Sequence, residues 1–176
     1  MKTSALLFKL GASLVVLAGV LSGLPANAQT ATTISASTTV ATSTSSTTTT
    51  TTTSALVTVK GAVIGAPENV NFSGQAQVKA NVVTDPDFGA QPTVLLTIDM
   101  SSVTGVGAST GKKYVVSGLG TLNRRLNATD LVQVTFPFYA SGGSPASTRV
   151  GSASFSLSYN VSTLKLTGAS GQIASP

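Results

Sequence analysis

From Val70 to Val82 the chain alternates, with Val70, Phe72, Gly74, Ala76, Val78, Ala80 and Val82 at every second position and Asn71, Ser73, Gln75, Gln77, Lys79 and Asn81 between them. A sustained period of two puts a narrow apolar stripe on one face of a long strand and polar groups on the other. The pattern breaks at Asp85-Pro86-Asp87-Phe88-Gly89 and resumes at Val94-Leu95-Leu96-Thr97-Ile98. This predicts a β-hairpin within Glu68 to Met100, turned by Pro and Gly. Gly74, Ala76 and Ala80 are small for inward positions, so the facing layer must supply bulk, and Phe136, Phe138 and Phe155 are the residues able to do so.

Shorter strands are expected at Leu56 to Lys60, extending toward Ile64, and at Tyr114 to Val116. Val132, Val134, Phe136 and Phe138 alternate with polar neighbours and Pro137, which places that stretch at an edge or near a strand end. Ala153, Phe155, Leu157, Tyr159 and Val161 make another patterned strand, and Leu164 to Leu166 a last one before a Gly/Ser tail. Ser101 to Gly111 reads as a glycine-punctuated loop, and Ser141 to Pro145 as a turn. Leu119 to Asp130 is ambiguous, because Leu119, Leu122 and Leu126 are spaced for one helical turn around Asn123-Arg124-Arg125. About seven short strands and no long helix predict an all-β fold, an antiparallel β-sandwich. Alternation alone does not decide closure, so a small closed β-barrel is the alternative.

Residues 1–28 read as a secretory signal peptide of bacterial style. Lys2 and Lys9 begin it, Leu10 to Leu21 is apolar, and Ala26-Asn27-Ala28 fits a small-residue cleavage site, so the mature chain should start at Gln29. Residues 29–54 are almost wholly Thr, Ser and Ala, including threonine at every position from Thr47 to Thr53. With so few large apolar groups this tract is expected to remain a disordered, solvated linker. Ile34, Ala36, Thr38 and Val40 nevertheless alternate within it, the pattern of a strand that could complete a neighbour's sheet, or of chance in a three-letter tract. The folded domain is expected over residues 55–176, long enough to build a core without covalent staples.

Composition narrows the chemistry. Charged residues are 9% of the chain, against about 25% in ordinary soluble domains, so hydroxyls and amides solvate the surface. The net charge of +5 includes the two leader lysines, and the remainder is too mild to argue for nucleic acid. There are no cysteines and no histidines in the 176 residues. That removes disulfides, a lipid-modified cysteine anchor, Ser-His-Asp and Cys-His nucleophiles, and the usual ligands for zinc, copper and haem, so no cofactor is expected.

Five carboxylates remain, Glu68, Asp85, Asp87, Asp99 and Asp130. Asp85 and Asp87 are too close in sequence to flank a sugar, and no Ser-x-x-Lys motif stands on a helix. The same two aspartates form the one candidate for a Ca²⁺ site, with the simpler reading that they shape a Pro/Gly turn. Gly105 to Lys113 resembles a phosphate loop only superficially, because its glycines are out of register and Lys112 is followed by Lys113. Lys112-Lys113 and Arg124-Arg125 would form one basic patch if their loops met at one end of the fold. Asn71, Asn127 and Asn160 head glycosylation-like sequons, incidental in a chain with a bacterial leader. Phe88, Tyr114 and Tyr139 are the aromatics left as possible exposed contacts for a sugar.

The expected function is therefore an exported, non-catalytic β-domain on a flexible Thr-rich stalk, periplasmic or extracellular, acting as a structural or adhesive component. The expected partners are other surface proteins or glycans, with self-assembly open, no nucleic acid and no membrane insertion once the leader is removed. The alternative is a carbohydrate- or small-ligand-binding module.

Overall fold

A computed structural model describes residues 33–42, 47–85 and 91–174 of the chain. Residues 1–28, read above as a leader, and Asp87 and Phe88 lie outside these residues. The described chain is nearly all β, with ten strands: β1 (Thr33–Thr42), β2 (Thr47–Val63), β3 (Val70–Thr84), β4 (Thr93–Asp99), β5 (Val103–Gly107), β6 (Lys113–Val116), β7 (Leu119–Arg125), β8 (Thr129–Ala140), β9 (Arg149–Asn160) and β10 (Lys165–Ala174). A short 3-10 turn at Pro145–Ser147 is the helical exception among the described residues.

The predicted hairpin is present as β3 and β4, antiparallel from Gln77 opposite Asp99 to Val83 opposite Thr93. Its other edge carries the longer pairing. β2 and β3 run antiparallel from Thr49 opposite Thr84 to Val63 opposite Val70, and this ribbon forms the spine of the sheet. The strands join in the order β1-β2-β10-β9-β8-β6-β5-β3-β4-β7, and the added β2–β3 pairing brings the strip back on itself. Two layers face each other across one apolar core, as expected of a sandwich. Phe72 of β3 meets Phe136 and Phe138 of β8 edge to face, with ring centroids 5.5 and 4.9 Å apart. Phe136, Phe138 and Phe155 are fully buried, as are Ala76 and Ala80; Phe136 and Val63 close together over Gly151, and Phe155 and Val59 over Gly171.

The barrel alternative fails at one seam: β2 and β10 meet in register at a single pair, Gly61 opposite Ile173. The layers are pinned at two corners instead of being joined by evenly spaced staves. Both corners sit toward the Val63–Val70 end of the β2–β3 ribbon. The outer edge of β2 changes partner from β1, which ends at Leu56, to β10 at Gly61. The outer edge of β3 changes from β5, which ends at Gly74, to β4, which begins at Gln77. Each corner is a glycine because backbone comes too close for a Cβ. At Gly61 a Cβ would overlap the Ile173 carbonyl, and at Gly74 it would lie 2.6 Å from the Ser102 carbonyl oxygen and 2.7 Å from Val103 Cα.

The structure differs from the sequence expectation in several places. The tract expected to be a linker contributes β1 and the first half of β2, so Ala55 is not a boundary of the sheet. Threonine is β-branched and suits a strand; what the tract lacks by itself is a partner, and Ala80, Val82 and Val83 of β3 provide one in register. Thr51 and Thr53 turn inward and are buried, while Thr52 faces outward and its hydroxyl donates to Asn81 Oδ1 at 2.8 Å. Val103 to Gly107, expected as loop, is β5, its Gly105 lying where a side chain would strike the Phe72 ring and Val70. Leu119 to Arg125 is strand β7 and not a helical turn, because the open edge of β4 pairs it from Asp99–Leu119 to Thr93–Arg125. With β1, β5 and β7 added, the count rises from about seven to ten.

Register also separates the two basic pairs. Lys113 lies opposite Val106, which pairs with Asn71 at the start of β3, whereas Arg125 lies opposite Thr93, which pairs with Val83 at its end. They are nearly the whole strand apart, roughly 40 Å at the rise of extended chain, and do not form one patch.

Two consequences are measurable. Thr53 Oγ1 is buried without a hydrogen-bond partner, so Thr53→Val, which keeps the shape and removes the hydroxyl, should stabilise the fold by about 1 kcal/mol or more in denaturant titration; a loss of stability would show that the hydroxyl is satisfied. Gly74→Ala should destabilise by about 1–3 kcal/mol, because backbone and not a flexible side chain stands in the way; an unchanged unfolding midpoint would mean that the β3–β5 corner does not pinch.

Candidate functional site

The polar cluster with the most convergent geometry is built around Glu68, which stands in the connection between β2 and β3, just before Val70 begins the long strand. The β5–β6 turn folds over it. In that turn Gly107 N–H donates to Lys112 O at 2.8 Å and Gly111 N–H to Gly107 O at 3.0 Å. Gly111 has φ of 66°, a left-handed value that glycine adopts without cost, with no neighbouring atom that would crowd a side chain. Gly107 is glycine for a different reason, since a Cβ there would run into the Glu68 carboxylate.

Glu68 is 8% exposed and its carboxylate is surrounded by donors. Oε2 accepts the N–H groups of Ser109 at 3.1 Å and Thr110 at 3.0 Å, and Oε1 accepts the hydroxyls of Thr110 at 2.6 Å and Tyr114 at 3.0 Å. The Thr110 hydroxyl is the largest influence on this acid. Burial acts in the opposite direction, but the Thr110 N–H, Tyr114 and Ser109 add to the first effect and hold the carboxyl down at about 2. Tyr114, buried beneath the turn, is pushed above the ordinary phenol range by burial and then by its bond to Glu68. Arg149, at the start of β9, donates to the Glu68 backbone carbonyl at 2.9 Å and lies 5.0 Å from the centre of the Phe138 ring.

A carboxylate with four donors on two oxygens has its lone pairs filled. It stays ionised at neutral pH, carries no proton to give, and offers no open oxygen to a cation. Glu68 therefore fastens the β5–β6 turn to the root of β3. Nothing in the sequence pattern marks this role; the one available signal was a buried-strand glycine, Gly107, in a stretch that reads as loop.

The other carboxylates are placed apart from it. Asp99 accepts the Ser101 N–H at 2.8 Å in the β4–β5 turn, and that bond, helped by the Ser101 hydroxyl, lowers its pKa. Asp130 takes a two-point contact from Arg124, Nη2 at 2.9 Å and Nε at 3.1 Å, and Arg124 also donates to the Leu131 carbonyl at 3.3 Å. Tyr159 nearby is pushed up to about 12, by burial first and then by the Asp130 charge. Asp85 directly follows β3, while its companion Asp87 falls outside the described residues. Among the described residues no group of three or more acids gathers where a metal ion could sit.

Of the aromatic contacts considered for a sugar, Tyr114 is 5% exposed and belongs to the core side of β6, and Tyr139 is half-buried. A shallow depression of about 300 Å³ on the outer face of β8, β9 and β10 is lined by Leu131, Ser154, Ser156, Ser170, Gly171 and Gln172, with no aromatic ring among them. No helix among the described residues is long and apolar enough to cross a membrane.

The depressed acidity of Glu68 makes a pH prediction. A carboxyl that titrates near 4.5 when free and about 2 when folded stabilises the fold fully above the first value and loses that contribution as pH falls to the second. Glu68→Gln should therefore melt well below the parent at pH 7, with the gap closing as both are taken from pH 5 toward pH 2; parallel melting curves across that range would exclude the tie. Comparison of the chain with protein-family models, curated proteins and solved structures finds no match.

Proposed function

We propose that this protein is an exported, non-catalytic β-domain that serves as a structural or adhesive component of the periplasm or cell surface. The observation that carries the reading is how the acids are used: Glu68, Asp99 and Asp130 each hold a turn or a strand end through short hydrogen bonds. Among the described residues their partners differ: Ser109, Thr110 and Tyr114 for Glu68, Ser101 for Asp99 and Arg124 for Asp130. The outer faces support the same reading, for they are laid with Ser, Thr, Asn and Gln, side chains that hydrate a surface without charge. The Thr tract enters this picture as part of the sheet and not as a flexible stalk, since β2 pairs with β3 and β1 with β2. The leader read from residues 1–28 supplies the route of export.

The deciding experiment is fractionation of the producing cell with N-terminal sequencing of the recovered protein. A chain beginning at Gln29 in the periplasm or medium is the expected result. Full-length protein retained in the cytosol would overturn the proposal.

A further inference from the structure

The two ends of the sheet are finished differently. At one end, β7 carries Arg124 and Arg125, and the Arg124 guanidinium crosses to Asp130 and the Leu131 carbonyl at the start of β8. Gly120 of the same strand lies against Val134 of β8, where a Cβ would come within 3.2 Å of its Cγ1. Charge and an overlying strand are the ordinary means by which a sheet edge is kept from pairing. At the other end, β1 has none of them. Its residues Thr33–Thr42 include no charge, no proline and no glycine, and the uncharged stretch continues through β2 as far as Lys60.

β1 is also half-covered in a particular way. Ile34 pairs with Ala55, Ala36 with Thr53 and Thr38 with Thr51, so these three continue the face that β2 turns to the core. Yet residues 34–38 are exposed at every position, and Ile34 is 38% exposed. The alternation visible in the sequence is thus a strand pattern with a core side, but among the described residues that side is left exposed at Ile34, Ala36 and Thr38, and β2 is the one strand paired with β1.

We propose that the open edge of β1 pairs antiparallel with β1 of a second copy, making a two-fold dimer whose sheet runs through both subunits. Three features select a second copy in this arrangement. An uncharged strand meets no repulsion from its own image. The pairing is self-complementary and closes after two chains. A head-to-tail contact would instead set the uncharged β1 against β7, which carries Arg124 and Arg125. The added strand covers Ile34 and gives the outward backbone groups of β1 the partners they lack.

The test is sedimentation of the purified protein together with distance measurement between single spin labels, which the cysteine-free chain accepts at any exposed position. The parent should sediment at twice its chain mass. A label on Ser37→Cys should report a short distance between subunits, a few strand spacings of about 4.8 Å. A label on Thr121→Cys, in the exposed part of β7, should report roughly 40 Å, because β2, β3 and β4 intervene in each copy. Ala36→Lys should abolish the dimer while leaving the circular dichroism and melting midpoint of the subunit unchanged. A monomer at every concentration, a short distance at Thr121, or a dimer that survives Ala36→Lys would each overturn the proposal.

Discussion

The pairing of β2 with β3 is the constraint from which the other strands take their places. Both strands keep a partner on their shared edge throughout, so each has one outer edge to offer, and each divides that edge between two neighbours. The division happens at the two glycines, Gly61 and Gly74, which lie close together across the ribbon. A side chain at either point would press on the incoming backbone and loosen the join between the layers. The phenylalanines of β8 and β9 fill the core, and near these corners they meet Phe72 of β3 and Val59 and Val63 of β2.

Glu68 shows the same economy in a polar setting. Burying a carboxylate is costly unless donors replace the water it loses, and here two backbone amides and two hydroxyls do so. The exchange fixes a turn that would otherwise have only its own backbone bonds. It also removes the group from chemistry, because a carboxylate saturated in this way has neither a proton nor a free lone pair to use. Tyr114 and Arg149 join the cluster from two further strands, so this single residue at the root of β3 ties together β5, β6 and β9.

The threonine tract sits at the margin of this design. Its inner half is buried against β3 through Thr51 and Thr53, and its outer half, β1, is laddered to β2 with residues 34–38 exposed. Strand stability should therefore fall off steeply from β2 to β1, since a ladder without buried apolar surface is marginal. That gradient is what gives the proposed pairing of two β1 strands its physical motive, and it places self-association on the side of the molecule farthest from the charged β7 edge.

Period-two alternation was enough to read β3, β4, β8 and β9 and the inward side of Phe136, Phe138 and Phe155, because burial on one face of a strand writes itself directly into residue order. The absence of cysteine and histidine, the leader-like start and the scarcity of charge are likewise properties of the chain alone. Other features are decided by contact between distant segments. Threonines 47–54 join the sheet only because β3 offers a matching edge, Leu119 to Arg125 is strand because β4 has one to fill, and Gly105 and Gly107 make a strand look like a loop because Phe72 and Glu68 need the room. Glu68 looks like an ordinary solvated acid in sequence; its four donors come from residues more than forty positions away. Local pattern records which face of a strand is buried, whereas which strand lies beside it, and which polar group is enclosed as a result, is settled only when the layers close.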